Sequence, residues 1–411
     1  MSTIAATAPK GENHNICVTT LEKFPSELVQ VILLSIPELD DFANSLRGLA
    51  PTCKSFKENI DIKEGIDIKG TRKEIISMFL SKNKNKYTWQ DLKCIKEIAR
   101  GDDAYFKGLN QVRHLDLSNS NIDSEELQKI LEHCGNLETL SLSGCRGLAS
   151  LDLSKQKNLK RLDLTGCEGL KTLDLSKQRK LEELDLTWCN GLRFLDLSNQ
   201  PNLQTLDLTW CTNLAVLDLS NQVYLQKLNL HGCEGLTVFA LSPHGNLQTL
   251  NLYGCKALAS LDLSNQVYLQ KLNLHGCEGL TVLALSPHGN LQMLDLTECN
   301  NLTDLELSKQ EHLQILDLYG CRSLIALALS PKGTLETLNL SRCLRLTVVD
   351  LSCQTNLQWI DIDGCHAAIT YPEHLINPLW GELSRTVASV TCIALAVIAY
   401  LHSQPQITSS P

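Results

Sequence analysis

Leucines set the rhythm of this chain. From Leu137 onward the apolar template Leu-x-x-Leu-x-Leu returns every 11 residues, as in LETLSL, LASLDL, LKRLDL and LKTLDL. Alternate copies end differently. One kind closes on Cys, at Cys145 and every 22 residues from there to Cys365. The other closes on Gln or on a Pro-containing turn, as at Gln156, Gln178, Pro243 and Pro287. The true period is therefore 22 residues. The fourth and sixth positions of the template lie two apart, so both leucines share one face of a short strand and the residue between them faces out. One unit cannot bury its leucines alone, whereas a stack of units buries them in a continuous core. The pattern predicts an α/β solenoid of about twelve units over 112–365, with short parallel strands on one side and mostly extended segments on the other. At about 4.8 Å per strand the stack would be roughly 55 Å long. Residues 217–248 and 261–292 differ only at Phe239 against Leu283, which marks duplication of a two-repeat unit.

The first unit departs from this pattern. Leu115 to Leu140 takes 25 residues, and Leu127, Ile130 and Leu131 have helical spacing, with Ser124 as the expected N-cap. Ahead of the repeats, Arg72–Lys82 and Trp89–Arg100 read as helices joined by a polar KNKNKY turn. The expected organisation is a disordered 1–15, a small helical module 16–60, a helical linker and N-terminal cap 61–111, the solenoid 112–365, and a C-terminal cap and hydrophobic helix with polar tail 366–411.

A 22-residue LxxLxLxxCxxL unit resembles the leucine-rich-repeat family in its cysteine-containing style. The resemblance implies a protein-binding scaffold. Ahead of it, 16–60 holds Phe24-Pro25, an apolar helical pattern through Leu28, Val31 and Ile32, and Cys53-Lys54-Ser55-Phe56. That order resembles an F-box, a motif often placed before such repeats. The resemblance implies that Phe24, Pro25, Leu28, Ile32, Leu33, Leu46 and Phe56 dock on the Skp-type adaptor of a cullin-RING ubiquitin ligase. A simple helical cap for the solenoid is the alternative reading. Near-perfect repeats are also similar to those of lineage-expanded families in bacteria that live inside eukaryotic cells, where such a chain would be an effector in host cytosol.

Charge narrows the partner. The formal net charge is −9, and the acidic excess falls on the repeats: 1–110 carries +1 and 111–411 carries −10. An acidic body disfavours nucleic acid, whose affinity comes from Lys and Arg on phosphates. It favours a basic or polar protein. No secretory signal pattern opens the sequence, so a cytoplasmic location with reduced thiols is expected. Cysteines 22 apart with no CxxC pair lack zinc-site spacing, and no cofactor is expected. GxxxxGK[ST], GxGxxG, GxSxG and HExxH are all missing, which argues against an enzyme.

Candidate contact residues lie on the Cys side. The position between the two strand leucines carries Asp163, Asp185 and Asp207, then Asn229, Asn251 and Asn273. Repeated Asp there is read either as contact surface or as solvated scaffold. The residues that break the repeat, Trp188, Trp210, His231, Tyr253, His275 and Tyr319, are the stronger candidates, since exposed aromatics are enriched among binding hot spots. Finally, 386–401 is uncharged for 16 residues. It is read either as a helix capping the last repeat or as a membrane-associating segment, short of the usual spanning length.

Overall fold

The computed structural model describes residues 86–88, 109–110 and 112–372. The chain divides into two units, 1–111 and 112–411. In the first unit a short strand spans Lys86–Thr88. The F-box-like residues Phe24, Pro25, Leu28, Ile32, Leu33, Leu46 and Phe56, the helices expected at 72–82 and 89–100, and the 386–401 stretch lie outside the described residues.

The second unit is a solenoid. Twelve three-residue strands, from His114–Asp116 to Trp359–Asp361, pair in parallel along its Cys side. Register is fixed by the leucines: Leu115 faces Leu140, Leu140 faces Leu162, and the match continues to Leu338 and Ile360. A one-residue slip would turn each leucine to solvent, and this strongly specifies the pairing. The leucines of the Cys-side strands are essentially inaccessible, as Leu140, Leu206 and Leu250 show at 0% exposure. Each such burial is worth about 1.5–3 kcal/mol.

The opposite side also carries strands, in three groups. They pair Val216–Leu219 with Val238–Leu241, pair Ser260–Leu263 with Val282–Leu285, and run from Asp304–Leu307 to Ala368–Thr370. The expected extended outer segments are thus present as strands from Val216 onward, and the outer halves at 149–153, 171–175 and 193–197 have no assigned strand. Among the described residues of this unit, the first repeat alone has a full helical outer half. Helix α1, Ser124–Leu131, buries Leu127, Ile130 and Leu131 against the core. Its extra length explains the offset of 25 between His114 and Thr139, where later strands are offset by 22. The cap lies one residue earlier than the sequence pattern predicts. Asp123, not Ser124, is the N-cap, and its Oδ1 accepts the Glu126 N–H at 2.7 Å. Asp123 is extended (φ −85°, ψ 167°), while Ser124 already has helical geometry and stands one residue past the cap position.

Two buried polar ladders close the turns. On one side each repeat Cys thiol from Cys167 to Cys343 donates to the carbonyl of the leucine 25 residues earlier, as Cys189 to Leu164 at 3.2 Å and Cys255 to Leu230 at 3.2 Å, and Cys145 reaches Leu117, 28 residues back across the longer first repeat. Burial pushes these thiols up, Cys167, Cys189 and Cys277 to about 12, so they remain protonated donors. On the other side buried glutamines do the same work. Gln178 Nε2 donates to Leu153 O at 2.6 Å and Gln354 Nε2 to Ser330 O at 2.7 Å. Both ladders satisfy carbonyls where the chain turns after a leucine pair and would otherwise carry buried orphan acceptors.

Candidate partner-binding face

Three columns of side chains face outward on the Cys side, and each has a distinct job. The Asp/Asn column between the strand leucines turns the chain. Asp163 Oδ1 accepts the Thr165 N–H at 3.0 Å, Asp185 that of Thr187 at 2.9 Å and Asp207 that of Thr209 at 2.9 Å. Asn229, Asn251 and Asn273 accept in the same way from His231, Tyr253 and His275. The second oxygen is also engaged in places, since Ser141 donates to Asp163 Oδ2 at 2.7 Å and Asn229 to Asp207 Oδ2 at 3.0 Å. These carboxylates therefore hold the turns that present their neighbours. Burial raises Asp185 and Asp317 above the ordinary carboxylate range. The equivalent acids on the opposite side, such as Asp152 and Asp174, make the same turn in solvent and are lowered by their Ser N–H and O–H donors.

Two residues beyond the Asp/Asn column sit His231, Tyr253, His275 and Tyr319, and one step further sits a glycine column at Gly144, Gly166, Gly232, Gly254, Gly276 and Gly320. These glycines adopt φ near +70°. Five members of that column are not glycine, yet keep the left-handed conformation: Asn119 (φ 55°), Trp188 (φ 62°), Trp210 (φ 60°), Glu298 (φ 58°) and Arg342 (φ 60°). Each costs about 1–2 kcal/mol of backbone strain. Trp188, Glu298 and Arg342 are exposed and Trp210 is half-buried, so this strain sits at bulky side chains that reach the surface.

The structure brings five of the six repeat-breaking residues into one ladder. Trp188 and Trp210 stack at 5.2 Å with 17° between planes. Trp210 then meets His231 at 5.2 Å, His231 meets Tyr253 at 4.5 Å, and Tyr253 meets His275 at 4.5 Å. The ladder changes column at Gly232. Trp210 leans over that glycine so closely that a Cβ there would lie 2.6 Å from Trp210 Cε3. At the far end His275 Nε2 lies 4.0 Å from Glu298 Oε2. Tyr319 stands apart, with the Arg342 guanidinium 5.4 Å from its ring centroid. Burial lowers His231, so it is held neutral between its aromatic neighbours. Glu298 and Arg342 were not among the residues expected from the sequence. Their signal was visible, because each replaces Gly one residue before the repeat Cys.

Among the described residues no group of three or more His, Cys, Asp or Glu is placed to hold a metal ion. No helix among them is long and apolar enough to cross a membrane.

Residues 104–200 match the family model for the leucine-rich-repeat domain of the endo-β-N-acetylglucosaminidase EndoS. No curated protein matches the chain significantly. Solved structures similar to the chain include the functional domain of InlJ from Listeria monocytogenes, described as including a cysteine ladder. The two are 21% identical with a TM-score of 0.30, and the match covers 64% of this chain and 65% of that one. An internalin, inlF, from the same organism is 18% identical over 69% of this chain and 91% of its own, with a TM-score of 0.33. A leucine-rich-repeat protein from Eubacterium ventriosum is 12% identical over 68% and 90%, with a TM-score of 0.33. The in-register 22-residue turns, their buried leucines and their thiol ladder make the repeat body of this chain a leucine-rich-repeat solenoid.

Proposed function

We propose that the chain is a protein-binding receptor whose Cys-side face holds a target along the aromatic ladder, while the F-box-like segment 16–60 recruits a Skp-type adaptor of a cullin-RING ubiquitin ligase. The ladder carries the first half of this reading. Five rings in contact form a rigid, amphipathic strip along the Cys-side face, and Trp188 is 46% exposed while Tyr253 is 37% exposed. Rigid aromatics lose little side-chain freedom on binding and are enriched in hot spots. The second half is supported by the Phe24-Pro25 to Phe56 pattern and by its place ahead of the repeats. In this reading the chain supplies recognition, ligase chemistry resides in its partners, and the site of action is cytosol, host cytosol for a bacterial effector.

Co-purification with a Skp-type adaptor tests the ligase half. Binding should be lost in the double variant Pro25→Ala with Leu28→Ala, and an adaptor that ignores both the wild type and the variant would sink it. A second reading, a scaffold tethered at a membrane without a ubiquitin link, draws on the uncharged stretch 386–401. Carbonate-resistant membrane association that vanishes on deleting 383–411 would favour it.

A further inference from the structure

We infer that the open step over Gly166, against the free face of Trp188, is a binding site for an arginine side chain of a protein partner. This rests on the reading of the ladder as a partner-binding strip and names the chemistry of one contact on it.

The ladder has an unfinished end. One face of Trp188 is taken by Trp210, and among the described residues no ring or cation stacks on the other. The side chains of this column lean toward the following repeat, as Trp210 does over Gly232 and Glu298 over Gly320. Asn119 leans in the same way over Gly144, where a Cβ would collide with its Oδ1. Nothing leans over Gly166. A Cβ there would meet only the Gly144 backbone, at 3.7 Å. The result is a gap between the Asn119 carboxamide, which sits over Gly144, and the Trp188 ring, floored by the Gly144 and Gly166 backbone, with one level of it lying directly against Trp188. Its rise is that of the repeat, about 4.8 Å per turn, so a single planar group continues the stack.

The surroundings select a cation. Glu168 lies two residues from Gly166 and is half exposed, with only a loose 3.6 Å contact to Arg146 Nε. Asp163 and Asp185 add negative charge two columns away, where they already accept the Thr165 and Thr187 N–H groups, and Lys160 and Arg161 are engaged by Glu138 and Glu183. A negative rim around an aromatic face suits a guanidinium, which stacks flat and offers a planar fork of donors. The same surface already builds this pair internally, where Arg342 occupies the glycine column and places its guanidinium over Tyr319. A neutral sugar would also stack on Trp and could donate hydroxyls to the carboxylates, but would leave their charge uncompensated.

The test titrates the full-length protein with capped Gly-Arg-Gly, Gly-Lys-Gly and Gly-Glu-Gly peptides and with cellotriose, following the Trp188 indole N–H resonance. A cation stack plus one exposed ion pair supports dissociation constants on the order of 10–100 mM for such a probe. The arginine peptide should give a saturable shift, the lysine peptide one several-fold weaker, and the glutamate peptide none. Glu168→Gln should weaken the arginine response. Gly166→Trp should abolish it by filling the step with the protein's own ring, and the φ it needs is one that Trp188 and Trp210 already adopt. Trp188→Ala, read by chemical shifts of neighbouring amides, should abolish it without unfolding the chain. Equal responses to arginine and lysine, a stronger response to cellotriose, or an arginine response that survives Gly166→Trp would overturn the assignment. Failure here is separable from failure of the ladder reading. A captured protein partner lost on Trp188→Ala, with no arginine-probe response, would overturn only the arginine contact.

Discussion

Gly232 is where the ladder can be broken with the least change to the chain. Replacing it with Ala adds one methyl group at φ +71°, 2.6 Å from Trp210 Cε3 and 2.7 Å from Cδ2. Both atoms belong to a fused ring that cannot bend away, so the whole indole must move. Gly166→Ala is the matched control, because Gly166 has the same φ of +71° but its added Cβ meets only backbone at 3.7 Å. The control should cost about 1–2 kcal/mol, the left-handed penalty alone. Gly232→Ala carries that penalty and also displaces Trp210 from two ring contacts, each worth about 0.5–1.5 kcal/mol. Its expected cost is therefore about 2–5 kcal/mol, with a difference of about 1–3 kcal/mol between the two variants. Urea unfolding followed by far-UV circular dichroism gives both numbers. The near-UV spectrum reports the Trp188–Trp210 stack and should change in Gly232→Ala alone. Equal costs with unchanged near-UV bands in both variants would refute the claim that Trp210 packs on Gly232.

Three further outcomes follow from the buried groups. Iodoacetamide at pH 8 should modify exposed Cys353 quickly in the native protein and leave the buried thiols from Cys167 to Cys343 intact, because burial pushes them to about 12 or above. Peptide mapping by mass spectrometry checks this, and rapid native labelling of Cys233 would contradict it. Folding favours the neutral form of His231, whose value is lowered from 6.5. Its contribution is complete above pH 6.5 and is lost as pH falls through the lowered value, so His231→Phe should flatten the acid side of the stability profile. Asp185 is raised by burial, so ionisation opposes folding at neutral pH and the opposition fades as pH falls. Asp185→Asn keeps the acceptor for Thr187 N–H and should raise the melting temperature at pH 7 and change it little at low pH, whereas Asp152→Asn in solvent should lower it at pH 7.

The solenoid was legible in the sequence because two independent markers, Leu and Cys, repeat in the same register. A period of 22 with two strand-like halves leaves few ways to bury the leucines. The helix in the first unit was legible from Leu127, Ile130 and Leu131, while its cap was misplaced by one residue because Asp123 and Ser124 are both good N-caps. The glutamine ladder was visible only as a marker. A Gln in a turn gives no sign that its side chain turns inward to a carbonyl one repeat back, as Gln178 does to Leu153. The aromatic residues stood out singly for the same reason. Trp188 and Trp210 occupy one column and His231, Tyr253 and His275 another, so sequence spacing separates them. The forward lean of Trp210 over Gly232 joins the two columns, and that lean depends on backbone geometry at positive φ.

The ladder face is proposed to hold a protein. Affinity capture from a eukaryotic lysate with wild-type protein, with Trp188→Ala/Tyr253→Ala, and with Phe194→Ala on the opposite side tests it most directly. Phe194 is 70% exposed and serves as an apolar control away from the ladder. All three proteins should first show matching circular dichroism. A specific co-captured protein should be retained by Phe194→Ala and lost by the ladder variant. The same protein retained by the ladder variant and lost by Phe194→Ala would contradict it.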